Sequence, residues 1–293
     1  VILTADLNQL DQEIERALIT GNEDDLPILG YGEINPVLGW SSSEGLLAVK
    51  RLPIFDTDER LFRYQSQFDE FINALRASQI NVIESKLIVV NRDDGRFAAY
   101  CIQPALLSQA LLPEVIRLSD DNKRKEIFTA LSKMIVAAIS DQVGLDAQIS
   151  NWGLGESGLV YLDVTTPMLR DESGNDRLDT DLFVASFPAV TRPMIRTFLL
   201  KRILNPYFSR RASVLDLIGN LYKENLEDAI PLAIETFNHQ LTLNITSNEV
   251  KNYYRHDARF WSFGQWTRRL DRYWQRHIRR RPYPFLLPGR VPR

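Results

Sequence analysis

Apolar residues Leu7, Leu10, Ile14 and Leu18 recur at three- and four-residue spacing between Thr4 and Thr20, which predicts an amphipathic helix opened by a Thr or Asp cap. The stretch Leu26–Gly39 is different: it starts apolar and is then broken by Gly30 and Gly32. Gly45–Leu52 (GLLAVKRL) reads as a compact strand with one lysine, Lys50, inside it. A second helix is predicted over Asp58–Ala77, where Leu61, Tyr64, Phe68, Phe71, Ile72 and Leu75 form a helical stripe. Lys86–Val90 and Arg96–Ile102 read as two strands joined by an Asp93-Asp94-Gly95 hairpin turn. Up to Gln103 the chain is therefore one helix, then strands around a second helix, with at least four strands in all.

Beyond Pro104 the pattern turns helical. Asn122–Gln142 reads as a long amphipathic helix with Ile127, Leu131, Met134, Ile135 and Ala138 on one side. Short strands at Asn151–Leu154 and Leu159–Leu162 flank Gly155-Glu156-Ser157-Gly158, and from Arg192 onward nearly everything reads as helix. No internal repeat or low-complexity linker divides the chain. The strands of the first half do not alternate with helices, which favours a two-lobed α+β protein over a doubly wound sheet. The division is expected near the 103/104 junction, with a β-rich lobe at 1–103 and a helical lobe at 104–293.

Composition narrows the function classes. The 293 residues, 44% hydrophobic and 25% charged, supply ample core for one large domain or two lobes sharing a cleft. A net charge of −3 gives no global electrostatic case for nucleic acid. The one cysteine, Cys101, fits a reducing compartment, and neither a signal peptide nor a membrane-spanning run is visible, so the expected location is cytoplasmic. The scattered histidines His239, His256 and His277 do not suggest a zinc site.

The candidate chemistry lies on both sides of the lobe junction. Gly30 and Gly32 allow a tight backbone bend that can approach a phosphate, with Asn35-Pro36 standing where a third glycine of a phosphate loop would be. Lys50 can supply a fixed positive charge for nucleotide phosphates, or be an edge lysine with its amine in water; Arg51 must point to the opposite face. Asp146 and Asn151 stand five apart directly after the long helix, and Asp163 ends an apolar strand. A carboxylate able to accept a hydroxyl proton, an amide oxygen and a second carboxylate are what magnesium-assisted phosphoryl transfer needs, although each residue alone also suits turn chemistry.

Order and spacing tie these residues together. Two glycines, a strand lysine eighteen residues after Gly32, a helix, two strands, Gln103-Pro104-Ala105, a long helix, Asp-x4-Asn and a strand-ending Asp twelve residues later follow in that order. The series resembles the protein-kinase-like superfamily, in particular its aminoglycoside and choline phosphotransferase branch, over about residues 26–170. The resemblance implies ATP and magnesium as cofactors. Lys50 would hold the phosphates, Asp146 would orient or deprotonate an acceptor hydroxyl, and Asn151 and Asp163 would hold the metal. Backbone groups of Gln103–Ala105 would meet the adenine, with Ala105 the donor because Pro104 has no N–H. The implied activity is phosphorylation of a hydroxyl on a small-molecule acceptor.

Two departures keep a non-catalytic, nucleotide- or partner-binding pseudokinase as the alternative. Gly144 replaces the histidine two residues before the aspartate, and Val164-Thr165-Thr166 follows Asp163 instead of Phe-Gly or Phe-Asp. In addition, the helix glutamate that partners the strand lysine in the family is not assigned. Glu70 falls opposite the apolar stripe of its helix, whereas Gln67 borders that stripe and could accept a hydrogen bond from Lys50. Finally, nine arginines and one acid (Asp271) lie among aromatics between Arg268 and Arg293. This pattern suits an anionic partner, a nucleic acid or a membrane face, or else a helix docked through Trp266, Leu270 and Trp274 with solvated arginines.

Overall fold

A computed structural model describes residues 4–31, 36–43, 45–185, 187–188, 191–196, 200–283 and 285–287. Strands β1 (Ile28–Tyr31), β2 (Pro36–Ser42), β3 (Gly45–Arg51), β4 (Lys86–Asn91) and β5 (Phe97–Pro104) form an antiparallel sheet in the order β1-β2-β3-β5-β4. Successive side chains of a strand point to opposite faces. Lys50 lies opposite Cys101 and Ala48 opposite Gln103, so these four share one face. Val49, Tyr100 and Ile102 occupy the other, where helix α1 (Thr4–Thr20) buries Leu7, Leu10, Ile14 and Leu18 against them.

The face carrying Lys50 is covered by helix α2 (Asp58–Ala77), capped by the Thr57 side chain on the Arg60 N–H. Its Phe68, Phe71 and Leu75 pack on Leu52, Ala99 and Cys101. As alternation requires, Arg51 turns the other way. It pairs with Asp11 at 2.9 Å and Glu15 at 2.6 Å, and Arg92 joins the same acids at 2.8 and 3.1 Å. The Tyr100 hydroxyl donates to Asp11 as well.

The second part is helical: α3 (Leu112–Leu118), α4 (Asp121–Ala138), the hairpin β6 (Trp152–Gly155) and β7 (Gly158–Tyr161), and then α5 (Thr180–Ala185), α6 (Arg192–Met194), α7 (Leu200–Leu204), α8 (Arg210–Lys223), α9 (Ile230–Asn238) and α10 (Ser247–Tyr273). The small β-rich part followed by a larger helical part is the two-lobed α+β arrangement expected from the sequence. Its main core runs without a break from beneath the sheet, through α2, to Ile127, Leu131 and Ile135 of α4 and Leu217 and Phe237 of α8 and α9.

The segment broken by glycines holds two strands, β1 and β2, which makes five up to Pro104 where at least four were expected. Two local expectations are corrected. Helix α4 stops at Ala138 rather than Gln142, because Ser140 takes up a turn in which its N–H bonds Val143 O and its hydroxyl accepts from Gln142 and Val143 N–H. Trp266, Leu270 and Trp274 do not dock the C-terminal helix: they are 58%, 52% and 54% exposed. That helix is held instead by its opposite side, through buried Val250 and Arg268, an Arg272–Glu23 pair at 3.3 Å, and Arg276 donating to Leu18 O. After a π-turn at Trp274–Ile278 the chain extends, and Leu286 enters the core under α1.

Candidate functional site

The site is built on two segments brought together by β7. In the first, Leu145, Ala147 and Ile149 are buried, which anchors the loop after α4 and leaves Asp146 and Gln148 half-buried on its other side. Gly144, standing where the resemblance expects histidine, is pressed between neighbours. A Cβ there would lie 3.1 Å from Met168 and 3.2 Å from the Phe208 ring, so packing leaves little room for a larger residue. The loop is laced internally: Asp146 Oδ1 accepts from Gln148 N–H, Asn151 Nδ2 donates to Asp146 O at 3.2 Å, and Tyr161 OH donates to the same carbonyl at 3.1 Å.

The second segment starts where β7 ends. Leu162 N–H bonds Asn151 O at 2.9 Å, and the next residue, Asp163, reaches across to the sheet. Its Oδ1 lies 3.0 Å from Lys50 Nζ, a contact between residues 113 positions apart, and also accepts from Thr165 Oγ1 at 2.9 Å. Each side chain of the ion pair is about one quarter exposed, at 26% for Lys50 and 24% for Asp163. Burial alone would raise the Asp163 carboxyl. The charge of Lys50, with the hydrogen bonds from Lys50 and Thr165, outweighs it and holds the group below its ordinary value.

Helix α2 does not supply the partner of Lys50. Gln67 does point inward, but it acts as a donor, from Nε2 to Arg177 O at 2.7 Å, and not as an acceptor for the lysine. Glu70 makes a two-pronged pair with Arg177 at 2.6 and 2.7 Å. Arg60 grips Asp179 in the same way, and Tyr64 OH donates to Thr165 O at 2.9 Å. The polar side chains of α2 thus fasten the segment that follows Asp163 along the length of the helix. Sequence reasoning missed this use of Arg60 and Tyr64, since nothing in their spacing marks a partner a hundred residues away.

The linker is also engaged. Ala105 N–H donates to Leu46 O at 2.9 Å, which extends the β3–β5 ladder by one pair. This corrects the expectation that Ala105 presents a free donor to an adenine. The Gln103 side chain donates to Leu162 O at 2.8 Å and to Ser85 Oγ at 2.9 Å, so it bridges the sheet to the residue before Asp163. Gly30 pairs with Val37 in the β1–β2 hairpin, with open space where a side chain would project; Gly32 lies outside the described residues.

The donor set suits magnesium. All the hydrogen bonds to Asp163 fall on Oδ1, and Asn151 is pinned through its Nδ2, so Asp163 Oδ2 and the Asn151 amide oxygen have no donor among the described residues. Two hard oxygen ligands, completed by phosphate and water, are the usual protein share of a magnesium site. Among the described residues no three His, Cys, Asp or Glu side chains converge as a metal cage would require. Two sizeable cavities lie elsewhere, one of about 540 Å³ between α1 and the β4–β5 turn and one of about 830 Å³ beside α4. The space between the lobes is crossed by the Lys50–Asp163 pair and by Gln103.

The model of a family described as "Family of unknown function (DUF6206)" matches residues 9–272 of this chain. No curated protein matches it. Among solved structures, a point mutant of the PknI kinase domain from Mycobacterium tuberculosis is similar, with 14% identity over 79% of this chain and 93% of that one and a TM-score of 0.38.

Proposed function

We propose that this chain, which belongs to the DUF6206 family, binds a magnesium–nucleoside triphosphate between its lobes and transfers the terminal phosphoryl group to a hydroxyl of a small acceptor. The observation that carries this reading is the Lys50–Asp163 contact, which joins a lysine from the middle of the sheet to an acid at the end of a strand in the other lobe. In this reading Asp163 and Asn151 hold magnesium, which would neutralise charge on the phosphate oxygens when bound. Lys50 leaves Asp163 and takes the phosphates, and the β1–β2 hairpin at Gly30 lies over them. Asp146 receives the proton of the acceptor hydroxyl; its loop is held by Tyr161 and Asn151, so the carboxylate needs little reordering for that step. Gln103 and the neighbouring Ala48 border the base. The Ala105 N–H is already taken, so recognition of the adenine falls to other groups.

The second reading, a kinase-like protein that binds nucleotide or partner without turnover, is favoured by one observation: no acid on α2 faces Lys50, since Glu70 is committed to Arg177. Slow ATP hydrolysis, with water replacing the acceptor, separates the two. Asp146→Asn should keep nucleotide binding and lower hydrolysis by roughly 10²–10⁴-fold. Asp163→Asn should lose magnesium-dependent binding itself. Equal hydrolysis in the wild type and both variants supports the binding-only reading, and no nucleotide binding by the wild type refutes both.

A further inference from the structure

One face of α10, and of the π-turn that continues it, is apolar and turned to solvent. Phe263, Trp266, Leu270, Tyr273, Trp274 and Ile278 are all more than half exposed. Their steps of three, four, three, one and four residues keep them on one stripe, about 22 Å long at the usual helical rise. Scattered exposed apolar residues need no explanation, but six large ones in line do. The inner side of the same helix is committed: Tyr253 donates to Asp216 at 2.8 Å, Arg272 pairs with Glu23, and Val250 and Arg268 are buried.

The exposed charged side chains between Lys251 and Arg281 are all basic, Asp257 and Asp271 being half-buried. Lys251, Arg255 and Arg259 are exposed on the turns before it, and Arg279, Arg280 and Arg281 are exposed directly after it. None of these six side chains has an ion-pair or hydrogen-bond partner among the described residues. Elsewhere Arg60, Arg170, Arg177 and Arg211 each hold a carboxylate. The nearest acid within the stripe's span, Asp271, is half-buried and accepts from Gln275. Cations at both ends of an aromatic stripe, in a chain whose net charge is −3, form a local and uncompensated feature.

We propose that this face binds the surface of an anionic bilayer, the aromatic stripe entering the headgroup boundary while the six cations meet lipid phosphates. Trp and Tyr rings are suited to that boundary, and basic residues beside them add attraction to anionic lipid. No described helix is long and apolar enough to cross a membrane, so α10 lies in the interface rather than across it. The other occupants fit less well. A nucleic-acid backbone would satisfy the cations but leave the apolar stripe in water. A second copy of this chain would cover the stripe but oppose like charges at both of its ends.

Co-sedimentation of the full chain with lipid vesicles tests the proposal. Vesicles of phosphatidylcholine containing roughly a third phosphatidylserine should bind the protein at least about tenfold more tightly than phosphatidylcholine alone. The pair Trp266→Ser/Trp274→Ser and the triple Arg279→Ser/Arg280→Ser/Arg281→Ser should each weaken that binding about tenfold, with melting temperatures unchanged because all five residues are exposed. If the tryptophan pair melts lower, Phe263→Ser and Tyr273→Ser on the same stripe give the same comparison. Absence of binding to the serine-containing vesicles overturns the proposal. So does binding that only the arginine triple weakens, with equal capture on a DNA duplex, which would mark a polyanion site. Self-association that is lost in the tryptophan pair without any lipid binding assigns the face to a second copy and overturns it too. Failure here leaves the nucleotide reading untouched, since no residue in this test lies at the cleft.

Discussion

Replacing Asp163 by asparagine removes the charge opposite Lys50 while keeping the shape of the side chain. The pair stands at 3.0 Å with each member about three-quarters covered, at 26% and 24% exposure. Exposed ion pairs contribute about 0.2–1 kcal/mol, whereas stripping one partner from a fully buried pair costs about 3–5 kcal/mol. Asparagine can still accept the Thr165 hydroxyl bond, so the expected loss lies between these limits, at about 1–2 kcal/mol. For a chain of this size that corresponds to a fall in Tm of roughly 3–6 °C. A double-mutant cycle with Lys50→Met in urea should return a coupling of about 1 kcal/mol. The sign of the pH dependence follows from the depressed carboxyl. Burial would raise it, but Lys50 and Thr165 hold it below its ordinary value, so the folded state favours the charged form. Its contribution is complete above the unfolded value of about 3.9 and is lost as the pH falls through the lower folded value. The gap between wild type and Asp163→Asn should therefore close below about pH 4. With magnesium and nucleotide at about 100 times Kd the wild type should gain about 2.7 kcal/mol, and the variant should lose most of that gain. A coupling below about 0.3 kcal/mol, or full nucleotide stabilisation of the variant, would refute the reasoning.

Other residues give sharper contrasts. Asp11→Ala should lower stability in urea by less than the about 3–5 kcal/mol that stripping the partner from a buried pair costs, because Glu15 still pairs with Arg51 and Arg92; an unchanged midpoint would show that Asp11 contributes nothing to the cluster. Glu70→Ala should cost about 1 kcal/mol or less and leave nucleotide affinity unaltered in calorimetry, because its partner is Arg177 and not Lys50; a large rise in Kd would contradict that pairing. Cys101 is buried, and that burial is the main cause that pushes its thiol up to about 12. It should react with a disulfide reagent at pH 8 only after denaturation, and reaction at the rate of a free thiol would place it outside the core.

Helices α1 and α2 were legible to the residue, because each buries one unbroken stripe and the spacing of Leu7–Leu18 and Leu61–Leu75 records it. Strands β1 and β2 were hidden by their glycines, of which Gly39 has a tertiary reason: a Cβ there would lie 3.0 Å from the Leu29 side chain. The pieces of the cleft could be read from order and spacing, and Lys50 and Asp163 do meet. What could not be read is register. Whether the Ala105 N–H is free depends on which residue of β3 it faces, and that is decided by the whole sheet. Periodicity also misassigned α10, for it shows that a helix has two faces without showing which is inner. Here the inner face is held by arginines such as Arg268, whose aliphatic stems serve as apolar surface, and the aromatic face is the one in water.

The return of the C-terminal chain to α1 ties together parts of the molecule that are far apart in sequence. From α10, packed on α8, it reaches back through Arg272–Glu23, Arg276–Leu18 and buried Leu286 to the first described helix. The run acts as a clasp. Loosening the end of α10 therefore takes contacts from α1 as well, and with them from the face of the sheet that α1 covers.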